Sequence, residues 1–254
     1  MPDHYLQRDQ PPGVPPLALD GERTLPDVPE ENYWFRRHLV VYEWIAARVG
    51  GLRVVDLACG EGYGSAALAR TAASVVGVDA NPEAHEHARL RYRAPNLRFA
   101  RDMVERFFAS CDALVFLQTI EHVQDPDGVL QNVGHMLTAG GTAYVSTPNV
   151  LTLAPKGAQR SGNPWHVREY RAHELRALCA RHFGSVELYG LFHARRLRAH
   201  ELALRGGWDR VHAALRLTAP FYDRFVPAIS TRDFALRREH DLDRALDFLA
   251  VLRP

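Results

Sequence analysis

Arg53-Val54-Val55-Asp56-Leu57, running directly into Ala58-Cys59-Gly60-Glu61-Gly62-Tyr63-Gly64, is the stretch on which the fold turns. Its first five residues have the short, apolar character of a buried strand. The glycines let the backbone turn tightly and approach a ligand closely, and the helix continuing from Ser65 to Arg70 begins with amides that have no partner inside it. A strand, a glycine-rich turn and a helix N-terminus in that order imply a nucleotide-like ligand at the strand's carboxyl end.

Outward from this loop, strands and helices alternate. Ser74 to Asp79, Leu97 to Ala100, Asp112 to Leu117 and Thr142 to Ser146 read as strands, with helices over Pro82 to Arg91 and Pro126 to Leu137, each opened by a proline in its first turn. Such alternation implies parallel pairing through right-handed crossovers, hence an α/β, doubly wound sheet. Upstream, Tyr33 to Val49 reads as an amphipathic helix stopped by Gly50-Gly51. Beyond Pro148, Arg171 to His182 reads as a helix, and Ser185 to Gly190 and Leu246 to Leu252 as strands. The stretch between those last two strands, 192–245, is too long for a connection and implies an insertion with helices of its own. The expectation is a mainly parallel, seven-stranded sheet with an N-terminal helical segment and a helical insertion before the last strand. Residues 1–29 carry seven prolines and read as an extended, partly disordered arm. Residues 30–254 read as a single domain, with a ligand-binding core over 50–147 and acceptor-side segments over 30–49 and 148–245.

The 254 residues are 46% hydrophobic and 24% charged, as in a soluble globular protein. Thirty-one basic residues face thirty acidic ones, so the net charge of +1 creates no field that selects nucleic acid or a membrane surface. No apolar run approaches the ~20 residues of a membrane helix. Three cysteines, Cys59, Cys111 and Cys179, are too few and too scattered for a disulfide framework or a tetrahedral zinc site, which suits a reducing, cytoplasmic setting. Thirteen histidines are many for this length and are natural suspects for proton transfer or metal binding.

Three acids stand at successive strand ends: Asp56 before the glycines, Asp79 after the second strand, and Asp102 after the third. Gly60, Gly62 and Ser65 come near the Gly-x-Gly-x-x-Gly of a dinucleotide site, as in a nicotinamide-dependent oxidoreductase, but Asp56 would repel a pyrophosphate and attract a cation. The acids suit a ligand with an ammonium, a ribose and an adenine. The loop over 56–64, Val76-Gly77-Val78-Asp79, Arg101-Asp102 and the Leu117-Gln118-Thr119-Ile120-Glu121-His122 run resemble the class I S-adenosylmethionine-dependent methyltransferases, a Rossmann-like fold. Ala58 departs from the family's usual first glycine. The resemblance implies S-adenosylmethionine as cofactor. Asp56 and Gly60 would hold its methionine portion, Asp79 its ribose and Asp102 its adenine, with Ala58, Gly62, Ala80, Met103, Leu117 and Gln118 completing the contacts.

A narrower resemblance lies outside the core. Glu30-Glu31-Asn32-Tyr33-Trp34-Phe35-Arg36-Arg37-His38, Ser146-Thr147-Pro148-Asn149 and Asn163-Pro164-Trp165-His166-Val167-Arg168-Glu169 are similar to an actinobacterial group that includes the O-methyltransferases of methylmannose polysaccharides. It implies a saccharide or another small hydroxylated acceptor, natural products included. A hydroxyl needs a base or a metal to take or polarise its proton. His122 and His166 are the candidates for base or ligand, Glu121 stands beside the first, and Glu169 is placed to orient the second. Ubiquinone-type O-methyltransferases carry Glu-x-x-Glu-His here, associated with a divalent metal. Gln118 replaces the first glutamate, so Mg²⁺ loses one anionic ligand. Tyr33, Trp34, Arg37, His38, Trp165 and Glu169 are the acceptor-side candidates. Trp208, Phe221, Tyr222 and Phe225 in the insertion would cover the acceptor site or form a homodimer contact. N- or C-methylation of a secondary metabolite, and a catalytically silent binding subunit, are the remaining alternatives.

Overall fold

A computed structural model describes residues 7, 9–19, 21, 23–155, 157–238 and 241–254. Its strands are β1 (Arg53–Leu57), β2 (Ser74–Asp79), β3 (Leu97–Arg101), β4 (Cys111–Leu117), β5 (Leu137–Pro148), β6 (Ser185–His193), β7 (Phe234–Arg238) and β8 (Asp247–Arg253). They form one sheet in the order β3-β2-β1-β4-β5-β8-β6-β7. The first five are mutually parallel, whereas β8 runs antiparallel to both β5 and β6, and β7 runs antiparallel to β6. β1 is central and covered on both faces, which is why Val54, Val55 and Leu57 need no polar alternation.

The helices are α1 (Asn32–Ala46), α2 (Tyr63–Leu68), α3 (Pro82–Arg91), α4 (Pro126–Met136), α5 (Val150–Leu153), α6 (Ala172–Cys179), α7 (Arg195–Arg205), α8 (Trp208–Ala214) and α9 (Thr218–Phe225). On one face of the sheet, Val129, Leu130, Val133 and Met136 of α4 and Leu175 and Leu178 of α6 meet Val55, Leu57 and Phe116. On the other, Val41, Tyr42 and Ile45 of α1 and Ala67 and Leu68 of α2 meet Val54, Val75 and Val115. Adjacent residues of β1 thus feed opposite cores, the alternation a pleated strand imposes.

Eight strands replace the seven expected. The additional strand, β7, lies inside what the sequence suggests is a purely helical insertion. Its Phe234 is buried while Arg237 and Arg238 are exposed, so it is an edge strand with too few apolar residues to stand out. β5 also begins at Leu137 rather than Thr142, because Gly140-Gly141 continue the strand where a glycine pair suggests a turn; the register against β4 shifts there. The short α5 after β5 went unanticipated.

Residues 1–6, 8, 20 and 22 of the Pro-rich arm lie outside the described residues. The described part is extended and packed. Leu17, Leu25 and Val28 bury one another, and the arm is tied down at buried Glu61, which accepts from Gln7 Nε2 at 3.1 Å. Glu61 also accepts from the Tyr92 hydroxyl at 2.7 Å and pairs with His87 Nε2 at 2.9 Å, while His87 Nδ1 meets the Pro15 carbonyl at 2.6 Å. Among the described residues, no helix is long and apolar enough to cross a membrane.

Candidate active site

The carboxyl ends of β1, β2, β4 and β5 open onto a cavity of about 1010 Å³. One wall is the loop after β1. Gly62 turns through φ +98°, and a Cβ there would lie 2.8 Å from that of Ala88, so only glycine fits between α2 and α3. Ala58 takes φ +56°, the left-handed conformation that a glycine would adopt without strain. Asp79 holds this loop in place: its Oδ2 accepts from Gly60 N at 2.8 Å and its Oδ1 from Asn81 N at 2.9 Å. Ala58, Gly60, Asp79, Leu117 and Gln118 all line the cavity.

The other proposed cofactor residues are placed differently. Asp56 is fully buried behind the wall, accepting from Ser65 Oγ at 2.6 Å and the Tyr42 hydroxyl at 3.3 Å. Burial pushes its carboxyl up to about 7, against those two hydrogen bonds. It therefore anchors α1 and α2 behind the loop; the strand's alternation turns its side chain inward. Asp102 accepts from Met103 N at 2.8 Å and stands 3.9 Å from Arg106, and Met103 is largely solvent-exposed. Asp102, Met103, Ala80 and Gly62 do not line the cavity.

The opposite wall comes from the turn after β4 and the loop after α5. Glu121 and His122 sit in a 3₁₀ turn over Ile120–His122, and the Glu121 carbonyl accepts from Val167 N at 2.8 Å and Arg168 N at 3.1 Å, which draws the two segments together. His122 Nδ1 donates to the Trp165 carbonyl at 2.8 Å, so the neutral ring carries its lone pair on Nε2. His166 Nδ1 lies 2.8 Å from Glu169 Oε1, and Asn163 Nδ2 donates to His166 Nε2 at 3.1 Å. Burial works against the Glu169 charge, but Ser161 and His166 overcome it and hold the carboxyl below its usual range. The two imidazole rings are 5.1 Å apart. One ligand atom each from Glu121, His122 and His166 fall within 4.8 Å of one another. Glu121 is buried, its Oε2 has no hydrogen-bond partner among the described residues, and burial raises its carboxyl to about 8.

Of the acceptor-side candidates, Trp34, His38 and Trp165 line the cavity, with both indoles substantially exposed. His38 Nδ1 lies 3.1 Å from Thr24 Oγ1, and burial lowers the ring to about 4, so it is neutral. Arg37 faces away. Its Nε and Nη2 donate to Asp247 at 2.7 and 2.6 Å in a buried bidentate pair that joins α1 to β8. Tyr33 is likewise turned from the cavity, with its hydroxyl 2.9 Å from His193 Nε2 and its ring against Phe234. Glu169 does not line the cavity and reaches the site through His166 and Ser161, which do. Trp208, Phe221 and Phe225 line a separate cavity, which removes them from the acceptor site.

Sequence reasoning missed Leu19, Arg23 and Thr24 of the arm, Tyr42 of α1, and Ser161 and Asn163, all of which line the main cavity. The apolar spacing of Leu17, Leu25 and Val28 was the available sign that the arm packs.

A family model described as a methyltransferase domain matches residues 23–202. A Mycolicibacterium smegmatis protein named a probable S-adenosylmethionine-dependent methyltransferase is 38% identical over 250 residues, covering 94% of this chain and 96% of that one. A ubiquinone biosynthesis O-methyltransferase of Xanthomonas campestris is 34% identical over 132 residues, 46% of this chain and 54% of that protein. Among solved structures, an S-adenosylmethionine-dependent methyltransferase from Mesorhizobium loti shares the fold, with a TM-score of 0.55 and 20% identity, covering 84% of this chain and 98% of that one.

Proposed function

This chain belongs to the S-adenosylmethionine-dependent methyltransferases, and from that premise we propose that it methylates a hydroxyl of a saccharide or similar small polyol, with His122 as the base. The cofactor, when bound, supplies a methyl group already activated on sulfur. What the chain must add is alignment, exclusion of water and a place for the hydroxyl proton. His122 carries the proposal: Nδ1 donates to the Trp165 carbonyl, which fixes the tautomer with its lone pair on Nε2, the atom that would take the proton. His166 stands beside it with Nδ1 on Glu169 and Nε2 accepting from Asn163, and would bind an acceptor oxygen, or a metal, by giving up the Asn163 contact. Trp34 and Trp165 offer exposed ring faces of the kind that pack on the C–H face of a sugar. On the other wall, Asp79 would accept from the ribose hydroxyls, and Asp56 would act from behind through Tyr42 and Ser65.

A second reading rests on the unpartnered Glu121 Oε2. With His122 and His166 it makes a set of one carboxylate and two imidazoles, which would hold a divalent cation that polarises the acceptor hydroxyl. Mg²⁺ prefers oxygen ligands and fits this set poorly, whereas Mn²⁺, Co²⁺ or Zn²⁺ suits it. Ligation through His122 Nε2 and base action by the same atom exclude each other. Mass-spectrometric screening of hydroxylated acceptors for the gain of one methylene, with and without chelator, tests both readings. Transfer to a hydroxyl that survives chelation supports the base; transfer restored by Mn²⁺ but not Mg²⁺ supports the metal; products bearing only N- or C-methyl groups overturn the hydroxyl assignment.

A further inference from the structure

The insertion has a cavity of its own, about 440 Å³, between α8 and α9. Trp208, Leu217, Phe221 and Phe225 form apolar walls, and the polar groups on it include His212 and Arg224. His212 is 2% exposed, and among the described residues neither ring nitrogen has a hydrogen-bond partner. Its ring is wedged between Trp208 and Phe221, each with centroid 4.5 Å away. Packing explains the ring's position but leaves both nitrogens desolvated and unsatisfied, a cost that a bound group would relieve. Arg224 is exposed, and among the described residues it makes no ion pair. Residues 195–228 contain seven arginines against three acids, in a chain whose net charge is only +1.

We propose that this pocket binds a small amphipathic anion, an apolar chain or ring ending in a carboxylate, sulfate or phosphate. The aromatic walls take the apolar body, Arg224 pairs with the head, and His212, whose nitrogens lie closed behind Trp208 and Phe221, donates to the head when the ligand parts those rings. The volume suits a ligand of modest size. A free amphiphile and a single anionic lipid of a bilayer present the same chemistry, and the binding assay separates them.

The full chain is titrated with decanoate, with decanol as the uncharged control, and followed by calorimetry and displacement of anilinonaphthalene sulfonate fluorescence. Decanoate should bind saturably at one site, roughly tenfold more tightly than decanol, the difference expected for one charge-assisted contact. Arg224→Gln should erase that preference while leaving decanol binding unchanged. His212→Phe should weaken decanoate yet raise Tm without ligand, because it removes unsatisfied nitrogens; a merely structural histidine would lower Tm. Retention on phosphatidylglycerol but not phosphatidylcholine vesicles, competed by decanoate and lost in both variants, assigns the lipid source; decanoate binding without vesicle retention assigns the free amphiphile. The proposal is overturned by absence of saturable binding, by equal affinity for decanoate and decanol, by vesicle retention without a decanoate site, or by a dimer that buries the pocket and resists decanoate. Methyl transfer enters none of these readouts.

Discussion

Two walls face each other across one cavity and are built by different means. The wall after β1 and β2 is main chain held by one side chain: glycines, a left-handed Ala58, and the Asp79 carboxylate accepting from two main-chain amides. The wall after β4 and α5 presents imidazole side chains: His122 donating to a main-chain carbonyl, and His166 on Glu169, which in turn accepts from Ser161. In the proposed reading the first wall would grip the cofactor, a ligand whose shape does not vary. The second offers titratable groups on loops, where chemistry and specificity can change without disturbing the sheet.

The sharpest way to separate the walls is to disable the chemistry on one of them. His122→Ala should lower turnover by about 10²–10⁴-fold, the usual contribution of a positioned base, without weakening S-adenosylhomocysteine binding. Equal loss of cofactor affinity would merge the two walls into one functional unit.

Arg37→Met probes a residue that sequence places at the acceptor and structure places in the core. Leaving Asp247 buried without its partner should cost about 3–5 kcal/mol of stability in denaturant unfolding, with the acceptor KM unchanged in the surviving folded enzyme. A raised KM with intact stability would return Arg37 to the site.

Asp56 lets pH test the anchoring of the first wall. Its folded carboxyl titrates near 7 against 3.8 as its ordinary value, so between those values the folded state holds a proton that the unfolded chain has released. Stability should therefore fall as pH rises from about 4 to 7, by up to roughly 4 kcal/mol from this group, and stay level above. Asp56→Asn should remove that fall, so the variant's advantage grows across the interval. Parallel wild-type and variant curves would refute the shift. The smallest effect expected is that of Ala58→Gly, which relieves the left-handed backbone and should stabilise the fold by at most about 1 kcal/mol, since glycine also loosens the unfolded chain.

The same contrast explains what sequence could reveal. β1, β2 and α3 fall at Arg53–Leu57, Ser74–Asp79 and Pro82–Arg91, as their apolar runs and proline start suggest, because those signals are local. Glycine spacing and Asp79 at the end of β2 likewise mark the first wall, whereas Asp56 and Asp102 do not line it. The acceptor wall depends on pairings that no local pattern reports. Arg37 sits in a run with Arg36 and His38 that looks exposed, yet its partner is Asp247, 210 residues away. Asp56 points behind the wall because β1 alternates its side chains, a phase that an all-apolar strand conceals. β7 is an edge strand with two exposed arginines, and the arm's burial depends on Glu61 meeting Gln7 and His87 across the fold.

The division of labour is tested most directly by calorimetric S-adenosylhomocysteine affinity in two variants measured side by side. Asp79→Ala removes the carboxylate that holds Gly60 and faces the cavity, and should weaken binding by about 10–100-fold, the worth of a charged hydrogen bond. His122→Ala should bind as the wild type does. Undiminished affinity in Asp79→Ala, or a matching loss in His122→Ala, would contradict a cofactor wall and an acceptor wall that work separately.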